Sequence, residues 1–169
     1  MDRLTKGKQY LYMLGWILVY LVVEMALTGA LLSLAPADAI PTNDQALHEL
    51  LRQSGPLQLL FSAGLIGPLE EEIIFRLGIY NGIRIVANRA LQKFVSVTHA
   101  DILGAWVGII ISSILFAAAR AEASLVLFMG HMVLGVAAAH IYRRTQTFAA
   151  PVILHAANNS IAIAFRMLA

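Results

Sequence analysis

Two short clusters in this chain combine residue types that can hydrolyse a bond. The first reads Gly67-Pro68-Leu69-Glu70-Glu71-Glu72-Ile73-Ile74-Phe75-Arg76. On a helix, successive side chains stand about 100° apart, so three adjacent glutamates fan across more than half the circumference. Glu72 and Arg76 stand at i,i+4, the order that best forms an intrahelical ion pair. That leaves Glu71 pointing elsewhere, free to act as a base or a ligand. The second cluster is His155-Ala156-Ala157-Asn158-Asn159, shortly after Pro151. His155 and Asn159 are also i,i+4 and project from one face. An imidazole can bind metal, shuttle protons or polarise a carbonyl, and an amide N–H can donate to an oxyanion. The plainer alternative is structural: a Glu–Arg pair that ties helices together and a His–Asn pair that hydrogen-bonds between them. Two such pairs at facing spacing on two helices weigh toward function.

The segments that carry these clusters are apolar. Of 169 residues, 59% are hydrophobic and 13% are charged, and the mean hydropathy is +0.74. Soluble domains run near about 45–50% apolar and about 25% charged, so this composition asks for a bilayer as solvent. A spanning helix needs roughly 20 apolar residues. Five segments qualify: Tyr10–Leu34, Leu57–Tyr80, Asp101–Ala119, Ser124–Tyr142 and Phe148–Leu168. The first is too long for a signal-peptide core and reads as a retained anchor. Ionisable groups within such spans are costly and point by default to a site.

Charge in the connections sets the orientation. Arg3, Lys6 and Lys8 precede the first span; Arg84, Arg89 and Lys93 follow the second; Arg143 and Arg144 follow the fourth. The loop Ala35–Pro56 is acidic, and the tight third-to-fourth connection holds both Arg120 and Glu122. Basic residues in alternate loops predict a cytoplasmic N-terminus. Thr42–Ser54 reads as an amphipathic helix on the membrane surface, and Arg84–Thr98 as a segment along the inner interface. No repeat or linker divides the chain, so residues 1–169 form one membrane domain with an all-α, polytopic bundle fold. A net charge of +2 gives no reason to expect nucleic acid as a partner. The absence of cysteine excludes disulfides, thiolate ligands and a cysteine nucleophile.

The glutamate cluster resembles the EExxxR motif of the CAAX-protease and bacteriocin-processing (CPBP, or Abi) intramembrane proteases, down to the Phe before the Arg. His155 to Asn159 matches that family's closing HxxxN motif, and the resemblance covers roughly Leu57–Leu168. It implies an intramembrane endopeptidase, in the plasma membrane of a prokaryote, acting on a membrane-associated peptide or protein. By the same resemblance Glu71 would activate water, Glu72 and Arg76 would position its helix, and His155 and Asn159 would stabilise the oxyanion.

The family's middle motif is FxxxH, and here the matching place reads Phe116-Ala117-Ala118-Ala119-Arg120. Arginine stays protonated and serves neither as a base nor as a metal ligand. Arg120 could instead pair with Glu71 and hold it as an inert carboxylate. Three readings stay open: a natural variant that hydrolyses with Glu71 alone, a pseudoprotease that binds peptides or assembles partners without cutting, and a chain deliberately inactivated at this position. No cofactor is expected. Glutamate with two histidines would suit zinc, but His155 is the only secure histidine and the ligand set is incomplete. His131 is the one candidate substitute, against the plainer reading of a hydrogen-bonded histidine; His48, His99 and His140 read as interfacial. His48-Glu49-Leu50-Leu51-Arg52 lacks the second histidine of a zincin site, and neither a GxSG nor a GxGD motif occurs. Glu24, alone in the first span, reads as a polar contact between helices.

Overall fold

In the computed structural model, residues 6–34, 49, 55–120 and 124–168 are described, and they fold into long helices with no strand among them. Helix α1 spans Lys6–Leu32, α3 Val97–Ala119, α4 Leu125–Thr145 and α5 Ala149–Leu168. Helix α2 runs unbroken from 56 to 91, through Pro56–Phe61, Ser62–Ile66, Gly67–Glu72, Ile73–Tyr80 and Asn81–Leu91. Three helices are long and apolar enough to cross a membrane on length and composition alone: Gly7–Leu31, Val97–Ala119 and Leu125–Thr145. The expected surface helix over Thr42–Ser54 lies outside the described residues, apart from Glu49.

Named contacts give the helix directions. Phe75 meets Phe116, Tyr80 lies against Gly108, and Arg84 and Asn88 lie against Gly104, so α2 and α3 run antiparallel. Gly135 packs on Ser113 and Phe116, and Ala139 joins Ile109 and Tyr80 in one cluster, which sets α4 antiparallel to α3. Met13 and Ile17 share a cluster with Ala137, Ile141, Ala150 and Leu154, which lays α1 beside α4 and α5. The approaches are close because the residues are small. A Cβ on Gly104 would stand 3.0 Å from the Asn88 nitrogen, and one on Gly135 3.1 Å from the Ser113 Cα. Without a hydrophobic force between helices in lipid, such small-residue contacts carry the packing.

The segment after Tyr80 is therefore more than an interfacial loop. It continues α2 as a helical arm packed along the first half of α3, locked by Arg84 Nη2 on Asp101 Oδ1 at 2.7 Å. This order gathers Lys8, Arg84, Arg89, Lys93, Arg143 and Arg144 at one end of the bundle. Aromatic residues gather nearby: the Tyr20 hydroxyl lies 2.6 Å from His140 Nδ1, His140 stacks on Trp106, and Arg144 sits 4.3 Å over Trp16. Glu24 is buried, and its Oε1 accepts from Thr28 of its own helix at 2.9 Å rather than from a neighbouring one.

Candidate active site

Helix α2 is irregular where the chemistry sits. Two of its stretches, Ser62–Ile66 and Ile73–Tyr80, are π-helical, with Gly67 N–H bonded five residues back to Ser62 O. Widened turns of this kind recur at functional sites. Between them, Gly67–Glu72 is an α-helical turn that starts at Gly67-Pro68 and ends with the three glutamates. Glu70 is exposed, Glu71 half-buried and Glu72 buried, so neighbouring positions face three surroundings.

Glu72 and Arg76 are both fully buried and form the i,i+4 pair that the sequence suggests, with Nε 2.8 Å from Oε2. Arg76 Nη2 lies 3.4 Å from Oε1. The same Oε1 lies 2.9 Å from His155 Nδ1 on α5. A carboxylate only accepts, so the hydrogen between them belongs to His155 Nδ1, and in the neutral imidazole Nε2 then keeps its lone pair. Arg120 Nη2 faces that lone pair at 3.4 Å, which fits a donor meeting an acceptor.

Arg120 closes the α3 helix and reaches back to Glu71, donating from Nη2 to Oε2. His155 Nε2 stands 3.8 Å from the same Oε2. Glu71, Arg120 and His155 thus meet at one point. The side chains of Glu71 and Arg120 keep 29% and 19% of their surface open, against none for Glu72, Arg76 and His155. The second carboxylate oxygen of Glu71 carries no hydrogen bond from the described residues. Asn159, one turn beyond His155, donates from Nδ2 to the backbone oxygen of Ala63 at 3.0 Å.

One residue in the middle of this arrangement is visible in the sequence only as a motif letter. Phe116 neighbours both arginines, with the guanidinium carbons of Arg76 and Arg120 at 5.4 and 5.2 Å from its ring centre. Phe75 and His155 approach its edges at 5.3 and 5.5 Å. The negative face of an aromatic ring attracts a guanidinium at this range.

Among the described residues, no group of three or more histidines, aspartates or glutamates stands close enough to hold a metal ion. Beside Glu71 and His155 the third position belongs to the Arg120 guanidinium. His131 bonds to Leu127 O within its own helix, and His99 to Ser96. The arrangement offers a half-exposed carboxylate, a cation with further N–H groups and a fixed imidazole, which is the equipment for adding water to a carbonyl.

A family model described as Type II CAAX prenyl endopeptidase Rce1-like matches residues 53–161, a stretch that contains every residue of this cluster. No curated protein matches the chain, and no solved structure does.

Proposed function

We propose, for a chain that belongs to the Rce1-like family of type II CAAX prenyl endopeptidases, that it hydrolyses a peptide bond of a membrane-held substrate with water activated by Glu71. The family gives the reaction class, a CAAX-type protease acting at the membrane, and the chain is accordingly an integral membrane protein. The observation that carries the finer reading is the half-open Glu71 carboxylate, held by one oxygen and without a hydrogen bond from the described residues at the other. In this reading that second oxygen takes a proton from water, and the hydroxide adds to the scissile carbonyl carbon. The charge on the carbonyl oxygen then meets N–H groups of Arg120. The C–N bond breaks as the leaving nitrogen takes back the proton from Glu71. Glu72 and Arg76 touch no substrate; they hold His155, which in turn steadies Arg120.

The Arg120–Glu71 ion pair also favours a second reading, a pseudoprotease that binds a membrane peptide without cutting it. A farnesylated CAAX-type peptide in detergent micelles separates the two. Glu71→Gln abolishes cleavage, and Arg120→His raises it by releasing the occupied carboxylate oxygen, with an imidazole N–H taking over as donor to the carbonyl oxygen. Equal cleavage by wild type and Glu71→Gln refutes the glutamate mechanism. Peptide binding without cleavage by either wild type or Arg120→His supports the second reading.

A further inference from the structure

Asn159 on α5 has a task set by a proline on α2. In the π-helical stretch Ser62–Ile66, the Gly67 N–H is used by Ser62 O, five residues back. The next carbonyl, Ala63 O, would in the same register accept from residue 68. That residue is Pro68, buried and without an N–H. The α-helical alternative, Gly67, is already committed. Ala63 O is thus left without a backbone donor in its own helix, and a polar group so placed must be satisfied from elsewhere. Asn159 Nδ2 does so from α5, at 3.0 Å. The neighbouring residue closes the joint: a Cβ on Gly64 would lie 3.0 Å from Ser160 Oγ and 3.9 Å from Ile163 Cδ1.

We infer that Asn159 is a positioning residue, docking α5 onto the carbonyl that Pro68 leaves open and so fixing His155 against Glu72. The i,i+4 spacing of His155 and Asn159 then has a geometric meaning. One face of α5 carries two polar anchors, and they meet α2 at two places, Glu72 and Ala63. The turn between those places holds Glu70 and Glu71, so the two anchors bracket the carboxylates. The effect of this dock on turnover rests on the hydrolase reading; its effect on thermal stability does not.

The test is a cycle between Asn159→Ala and Pro68→Ala, the latter giving residue 68 an N–H that can serve the open carbonyl from within α2. Purified full-length protein in detergent is measured for its unfolding midpoint and, with the farnesylated peptide, for kcat and KM. Asn159→Ala is expected to lower the midpoint by several degrees and kcat about tenfold or more with little change in KM. In the Pro68→Ala background, each loss shrinks to less than half on a logarithmic scale. Pro68→Ser supplies the same N–H and replaces Pro68→Ala if that variant is poorly folded. A thermal cost of Asn159→Ala that is the same with and without the proline overturns the inference, whatever the enzyme does. A thermal cost that shrinks while the kcat loss stays full overturns it too, because Asn159 would then touch the reacting atoms. Absence of any cleavage, with the thermal coupling intact, counts against the hydrolase reading and leaves the docking role standing.

Discussion

Glu72 and Arg76 allow a quantitative forecast, because both are fully buried, each is the other's counter-ion, and their closest approach is 2.8 Å. Replacing one partner strands the other's charge away from water. For buried pairs that costs about 3–5 kcal/mol, whereas removing both together is often nearly neutral. Glu72→Gln leaves the Arg76 guanidinium alone beside Phe116, its ring 5.4 Å away. The same substitution spares His155, since an amide oxygen can still accept from Nδ1. Arg76→Met leaves the Glu72 carboxylate with His155 as its only hydrogen-bond partner among the described residues. For a chain of this length roughly 2–4 °C of midpoint follows each kcal/mol, so each single variant is expected to lose about 6–20 °C. The double variant, with no charge to strand, should recover at least half of the summed loss. Circular dichroism at 222 nm during a thermal ramp in detergent measures all four proteins. Losses that simply add would show that the two side chains do not depend on each other. Single losses under 2 °C would show that both charges reach water.

The glycines supply a prediction with its own control. Gly104→Ala sets a methyl group 3.0 Å from the Asn88 nitrogen and 3.2 Å from Arg84 O, backbone atoms that cannot swing aside, and overpacking of this kind costs about 1–3 kcal/mol. Gly15→Ala meets nothing within 4 Å and should be neutral or slightly stabilising in its helix; a melt of both variants is decisive, and equal midpoints would refute the close packing of α2 on α3. Arg120→His should create a zinc site, since an imidazole there joins Glu71 and His155 as a third ligand. Elemental analysis after dialysis should find about one zinc per chain in that variant and none in wild type, and stoichiometric zinc held by wild type through Glu71 and His155 would contradict the forecast.

The helices are legible in the sequence as apolar runs of near-spanning length, and the ion pair by its i,i+4 spacing. Hydropathy starts the third apolar segment at Asp101, whereas the helix begins at Val97 because Ser96 caps it, accepting from the His99 N–H. The arm Asn81–Leu91 is harder to read: its polar residues suggest an interface, and its packing on α3 runs through the close approach at Gly104. At the site, the spacing makes Glu72–Arg76 readable, and the charge of Arg120 makes its pairing with Glu71 readable. The π-helical turns are not. The one over Ser62–Ile66 lies where Pro68 lacks a donor and α5 provides one, a relation between residues 63, 68 and 159 that no periodicity displays. Phe116 is legible only as a motif letter, since its contacts with two arginines exist only after three helices assemble.

Three glutamates in a row leave the rotation of α2 underdetermined by carboxylate chemistry alone. Turning the helix by one residue, about 100°, would offer Glu70 and Glu71 to α3 and α5 in place of Glu71 and Glu72. Arg76 removes that freedom, because only Glu72 stands four residues before it and only one rotation buries its guanidinium between Glu72 and Phe116. The arginine thereby acts as a key against rotational slippage of the helix. An insertion or deletion between Glu72 and Arg76 should be fatal to the site, while one that carries the two along together should be survivable.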